Sequence, residues 1–266
     1  MIHVRVMANP FFLYLSFMAY TPLEQFEIIL VLPVSFFGFF DLSITNMTVY
    51  MLIVSGIIAF FLWFSFLYNP EFIPVRLQVI FEALYDFVLD MAKQQAGSNA
   101  IRYFPLGLFT FLFILFSNFI GLIPFSFTVT SHISIVFAMA FAFNLALVFI
   151  GFYYNGFRFL KVFVPNGAPA ALLPLIVTIE FFSYLIRTFS LSIRLFANMT
   201  AGHTLLHMLV SFSLSFLNAS AYLFFIFASL LTFAILVLEF GIAFLQAYIF
   251  VILIFIYMND SFHPSH

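Results

Sequence analysis

The sequence predicts an all-α integral membrane protein: three steep or surface-linked membrane helices, one amphipathic surface helix, and two long apolar stretches behind them. Three observations carry this reading. Only 7% of the 266 residues are charged, where an ordinary soluble domain carries roughly 25%. Hydrophobic residues make up 65% and the mean hydropathy is +1.21. The apolar residues run in long unbroken stretches, unlike the short alternating segments of a transmembrane barrel. Such a chain cannot cover a soluble surface, so a soluble enzyme is excluded, as is a disordered chain. Eight Lys and Arg spread along the sequence make no basic face, which excludes nucleic acid as a partner. The absence of cysteine removes disulfides, thiolate metal sites and cysteine nucleophiles. Phe, at 46 residues, far exceeds ordinary usage. It has no bilayer advantage over Leu, so the excess reads as AT-rich coding of the kind found in organellar genomes.

Residues 1–40 form an accessory or interfacial segment. Arg5 followed by the apolar run Phe11 to Tyr20 has the length of a signal h-region, too short for the roughly 20 residues a span needs. Residues 41–266 form a single membrane domain. No charge occurs between Asp41 and Glu71, and a first span is expected over 46–68 with Asn46 as its cap. Over 74–95 the character changes: Glu82, Asp86 and Asp90 recur every four residues, with Val79, Ile80, Ala83, Leu84, Phe87, Val88 and Met91 opposite. That is an amphipathic helix lying on the membrane surface. From Tyr103 to Phe157 there is no formal charge, and the Pro124 and Ser/Thr region through His132 divides the run. Spans are expected over 103–123 and 133–154. Beyond the loop carrying Arg158, Lys161, Pro165, Gly167 and Pro169 come the apolar stretches 172–216 and 219–258. Each would be about 60 Å long as one helix, so each either breaks into two spans or leans strongly in the bilayer. The positive-inside rule puts Arg76, Lys93, Arg102, Arg158 and Lys161 on one side. The N-terminus then faces out and the C-terminus in.

Glu180, Arg187, Arg194 and Glu239 interrupt the two long stretches. A charge at the bilayer centre costs about 2.5–3.5 kcal/mol on insertion scales, so such residues face water or a partner. Structural ion pairing or snorkelling is the bland alternative, and for Arg187 the two readings are evenly matched. On a helix, Glu180, Arg187 and Arg194 form a heptad-spaced stripe, with Asn198 one turn beyond. His203 falls on the opposite side from Arg194 and shares a face with His207, while Glu239 and Gln246 share a face seven residues apart. His203 and His207 could alternatively carry a metal or haem, although neither a facing carboxylate–His set nor a thiolate accompanies them.

The run Leu191-Ser-Ile-Arg194-Leu-Phe-Ala-Asn198-Met-Thr-Ala-Gly202-His203 resembles the signature of the a subunit of F-type ATP synthase, in its mitochondrial form also called subunit 6. Glu239-Phe-Gly-Ile-Ala-Phe-Leu-Gln246-Ala-Tyr-Ile-Phe250 resembles the second signature of that family. Thr21-Pro-Leu-Glu-Gln-Phe26 and Asn118-Phe-Ile-Gly-Leu-Ile-Pro124-Phe-Ser-Phe-Thr128 are similar to its N-terminal and third-helix elements. The likeness covers about residues 21–260, and His203 with Glu239 is like the mitochondrial pattern. It implies that the last two stretches are long tilted helices forming a hairpin against a rotating ring of c subunits. The polypeptide itself does no bond chemistry. It supplies two offset aqueous half-channels through which protons load and unload ring carboxylates. By the same resemblance Arg194 separates the half-channels, His203 and Glu239 form the uptake pair, Glu180 and Asp260 belong to the exit half-channel, and Asn198 and Gln246 bond Arg194 or channel water. The implied partners are the c-ring, peripheral-stalk and other membrane stator subunits, lipids and protons, with no cofactor and no metal. The implied location is the mitochondrial inner membrane, N-terminus toward the intermembrane space and C-terminus toward the matrix. Two readings from other classes compete: a secondary ion-coupled transporter, expected to show inverted repeats and interrupted helices, and a haem- or metal-bearing respiratory-chain subunit.

Overall fold

The computed structural model describes residues 26–32, 35–36, 40–41, 43–67, 76–123, 126–164, 173–218 and 221–262. The expected interfacial helix around Phe11–Tyr20 lies outside the described residues. Six α-helices are present among the described residues: α1 Asn46–Leu67, α2 Arg76–Ala96, α3 Phe104–Gly121, α4 Ile133–Asn155, α5 Leu173–Asn218 and α6 Tyr222–Phe262. All but α2 are long and apolar enough to cross a membrane. Ahead of α1 lie two small antiparallel ribbons that the apolar pattern did not announce. Leu30–Leu32 pairs with Ile44–Thr45, and Ser35–Phe36 pairs with Phe40–Asp41.

Three helix boundaries have a clear local cause. At the start of α1 the cap is Thr45, not Asn46. The Thr45 hydroxyl accepts from the Thr48 N–H at 3.4 Å, and the Thr48 hydroxyl accepts from the Thr45 N–H at 3.0 Å, a reciprocal box that satisfies two end donors. Asn46 instead ties the helix to the ribbon, its amide donating to the Glu27 carbonyl and its side-chain oxygen accepting from the Ile29 N–H. Gly97 ends α2 in the left-handed region at φ 68°. Pro105 stands in the first turn of α3, where a missing N–H leaves nothing unpaired.

Helix α2 follows the expected surface pattern with one refinement. Val88, Met91, Ala92 and Ala96 are buried against the bundle, while Val79 and Ile80, expected on the same apolar face, are exposed. Phe87 of α2 packs on Phe111, Phe244 and Tyr248, so α2 lies across α3 and α6.

Both long apolar stretches are unbroken. At about 1.5 Å per residue, the 46 residues of α5 and 41 of α6 run about 69 Å and 62 Å, twice the roughly 30 Å of a hydrocarbon layer. Their contacts run in opposite order along the two helices: Arg187 with Asp260, Asn198 with Gln246, Gly202 with Glu239, Ser213 with Ser229. The pair is therefore an antiparallel hairpin. The C-terminal half of α6 is the buried spine of the bundle, with Phe250, Val251 and Phe255 fully enclosed among Phe111, Leu112 and Leu195.

In lipid the hydrophobic effect gives helices little reason to associate, so small residues and interhelical hydrogen bonds take over. Both are present. Gly107 leaves room for the Phe255 ring, and Ala243 and Ala247 are fully buried. Asn144 donates to the Thr188 hydroxyl at 2.7 Å, and Asn155 to the Ser261 carbonyl at 2.7 Å.

Candidate functional site

Two polar clusters lie along the hairpin, with Arg194 between them. The first surrounds the C-terminal half of α5. Glu239 and His203 are each only 7% exposed. The Glu239 carboxylate lies directly over Gly202, at the place where a Cβ on that glycine would project. His203, the next residue, turns its Nε2 toward α3, to within 3.5 Å of where a Cβ on Gly121 would stand. Neither oxygen of Glu239 nor the Nε2 of His203 finds a hydrogen-bond partner among the described residues. An enclosed polar group without a partner costs free energy, so packing alone does not account for this pair.

The segment between α3 and α4 closes the cluster. Thr128, Val129, Thr130 and Ser131 are all buried, and the Thr128 side chain fills the space over Gly121. The segment is pinned through Asn118, which is fully buried. Its amide donates to the Ala243 carbonyl at 3.2 Å, and its side-chain oxygen accepts from the Thr130 hydroxyl at 2.9 Å. Ser126 reaches back to the carbonyls of Ile120, Gly121 and Ile123, capping α3. His132 follows, stacked on Phe127 at 5.0 Å. Burial pushes its imidazole below the usual histidine value.

The second cluster gathers where the N-terminal half of α5 meets the end of α6. Arg187 Nη1 lies 3.8 Å from Asp260 Oδ2, and its guanidinium stacks over the Tyr257 ring at 4.9 Å. The seven-residue step from Glu180 to Arg187 is about 10 Å along the axis, and Glu180 is half-buried. Behind Arg187 is a cavity of about 20 Å³ between α4, α5 and α6, whose polar lining is Asn144, Tyr184, Arg187, Thr188 and Tyr257.

Arg194 itself is exposed on the outer face of α5, beside the small residues Ala197 and Ala201. It lies about 10 Å along the helix from Arg187 and about 14 Å from His203. Asn198 does not bond it; its amide donates to Gln246 Oε1 at 3.1 Å. The expected faces are therefore realised: Arg194 outward, His203 inward, and Glu239 and Gln246 together against α5. Sequence reasoning passed over Asn118, Thr130, Asn144, Thr188 and Gly202 as site residues. The available signal was a side chain able to form hydrogen bonds, or a glycine, inside a charge-free run. Among the described residues no group of three or more His, Asp or Glu side chains could hold a metal ion.

A helical bundle that keeps ionisable side chains inside its longest membrane hairpin defines a class: polytopic membrane proteins whose buried charges mark a route for ions or protons. The comparisons name the family. The family model described as ATP synthase A chain matches residues 48–259. The chain is 46% identical over 250 residues to ATP synthase subunit a of Acanthamoeba castellanii, with 94% of this chain and 100% of that protein covered. It is 42% identical over 251 residues to ATP synthase subunit a of Brucella ovis, with 94% and 100% covered. This chain belongs to the ATP synthase a-subunit family, a membrane subunit of the F-type ATP synthase, and ATP synthesis and proton transport follow from the family.

Proposed function

We propose that this chain is the proton-translocating stator subunit, forming two aqueous half-channels that load and unload carboxylates on the rotating c-ring. The observation that carries the reading is the exposed Arg194 standing between two polar clusters on the same hairpin. A guanidinium stays charged under physiological conditions and offers five donors but no acceptor. It can therefore pair with an ionised ring carboxylate, and it cannot pass a proton onward. Placed between uptake and exit, it favours proton release from the ring and blocks a direct leak. His203 and Glu239 form the uptake pair, an imidazole being the side chain best suited to exchange protons near neutrality. Glu180 and Asp260 serve the exit half-channel, and Asn198 with Gln246 lines the wall between. The driving force is about 2.3 kcal/mol per proton charge per 100 mV. The chain does no bond chemistry of its own.

The partners are the c-ring, the peripheral stalk and other membrane stator subunits, and lipids. Similarity to the protist relative and the distribution of Lys and Arg support a mitochondrial inner membrane location, N-terminus toward the intermembrane space and C-terminus toward the matrix. Residues 1–40 would be an accessory segment and 41–266 one membrane unit. Arg194→Ala tests the central claim: gradient-driven ATP synthesis by the assembled complex should be abolished, and synthesis at the parent rate would end the proposal.

A further inference from the structure

Helices α3 and α4 each pack against α6 and little against each other. Between them opens a cleft of about 380 Å³, walled by Phe109 and Phe113 of α3 and by Ala138, Met139 and Phe143 of α4. Thr110 adds no polarity to it, because its hydroxyl donates to the Leu106 carbonyl at 2.7 Å within α3. The wall is thus apolar, and the exposed Phe109 and Ala138 mark its open side. One turn of a helix 10–12 Å wide takes at least about 420 Å³, more than the cleft offers. A single hydrocarbon chain fits.

The end of the cleft nearest the Lys- and Arg-bearing loops has the opposite chemistry. Arg102 is exposed two residues ahead of α3 and meets the Tyr154 hydroxyl at the end of α4, which also meets the Tyr103 hydroxyl. Both tyrosine rings pack on Phe262. Beside them Tyr153 is 82% exposed, as suits a ring with one end in lipid and one in water. Past Gly156, in the left-handed region at φ 54°, the chain folds back. The Phe159 ring packs on Phe152 at 5.1 Å and fills the space over Gly151. Arg158 and Lys161 flank that anchored position in the chain, close to the end of α4 that Arg102 touches. Phe109 to Phe113 lie about 8–14 Å along α3 from its start, within the roughly 15 Å depth of one hydrocarbon leaflet.

We propose that the cleft between α3 and α4 is a binding site for an anionic phospholipid, with an acyl chain in the cleft and the headgroup phosphate at the rim that carries Arg102. Basic pockets between membrane helices select such headgroups by charge, and Arg158 and Lys161 add to the charge of this rim. A zwitterionic lipid would gain the same apolar contact and far less from the cations. The site is independent of the proton route and of the role given to Arg194.

The test uses the whole complex, reconstituted in phosphatidylcholine vesicles. These carry a trace of phosphatidylglycerol with a diazirine on its acyl chain, or the matching phosphatidylcholine probe. Insertion after irradiation is mapped residue by residue, and α1, whose Leu52 and Trp63 are exposed, supplies the bulk-lipid reference. Cleft labelling relative to α1 should be at least about fivefold higher for the phosphatidylglycerol probe, the factor that one interfacial cation supplies. Arg102→Gln should lower that preference about fivefold. Ala138→Phe, which fills the cleft from an exposed wall, should remove cleft labelling by both probes. Salt gives a check that needs no variant: the preference should shrink as the Debye length shortens from about 10 Å at 0.1 M to about 3 Å at 1 M. Equal labelling by the two probes, or a preference indifferent to Arg102→Gln and to salt, would overturn the proposal. So would a cleft that neither probe labels, the result expected if a helix of a neighbouring subunit covers it.

Discussion

Gly202→Ala separates stability from transport within a single methyl group. The new Cβ would be built where the Glu239 carboxylate now lies. That carboxylate is the free end of a flexible side chain, so the clash is relieved by swinging it aside, not by moving α5 from α6. An off-rotamer side chain costs about 0.5–1.5 kcal/mol, and replacing a mid-helix glycine by alanine returns about 1 kcal/mol of helix propensity. The two nearly cancel, so complex abundance and melting temperature should stay close to the parent. Transport should not. Displacing a reacting group by about 1 Å can cost about a hundredfold in rate, and the carboxylate must move at least that far to clear a methyl group. ATP-driven proton pumping into vesicles, normalised to assembled complex on native gels, should fall between tenfold and a hundredfold, on the order of that estimate. Gly56→Ala is the control, because a Cβ there meets nothing within 4 Å. Pumping by Gly202→Ala within about twofold of the parent, in normally assembled complex, would refute the claim that placement of this carboxylate limits proton passage.

Two further predictions concern the segment that closes the Glu239–His203 cluster. Asn118→Leu removes the bridge between the Ala243 carbonyl and the Thr130 hydroxyl and should destabilise the membrane sector by about 2–3 kcal/mol, read as a lower melting temperature in detergent; an unchanged melting temperature would show that the pin is idle. His132 titrates below its unfolded value because of burial, so between the two values the unfolded chain binds more protons and stability rises with pH. The protein should thus lose stability as pH falls below about 6.5, and His132→Phe, which keeps a ring against Phe127 without a titrating group, should flatten that acid limb; equal acid sensitivity in both proteins would contradict this.

The spans were legible because nothing competes with an apolar run bounded by charges. Thus Asn46–Leu67 and Ile133–Asn155 fall within a residue of their expected limits. The continuity of α5 and α6 was not legible from composition. Forty apolar residues fit either two crossings or one long helix, and only tertiary contacts such as Asn198 with Gln246 select the single antiparallel pair. The cap at Thr45 was missed because Asn46 is the stronger capping type, and here its side chain is drawn off to Glu27 and Ile29. Within the candidate site, charged residues were conspicuous because charge is scarce in this chain. Asn144, Thr188 and Asn118 were not, since an uncharged polar residue in a span is as often a simple interhelical bond. Gly202 was beyond sequence reasoning as a site residue, because its meaning depends on a carboxylate 37 positions away.

The unbroken length of α5 and α6 has an electrical consequence. Helices of about 60–70 Å that keep their apolar length within a hydrocarbon layer about 30 Å thick must lean more than about 60° from the membrane normal. Glu239 and Asp260 are separated by 21 residues of α6, about 31 Å along its axis, and at that lean by only about 15 Å of depth. Displacement between the clusters is mostly sideways, so under the proposed function a charge passing from one to the other travels chiefly across the electric field, as a carrier moving in the membrane plane would take it.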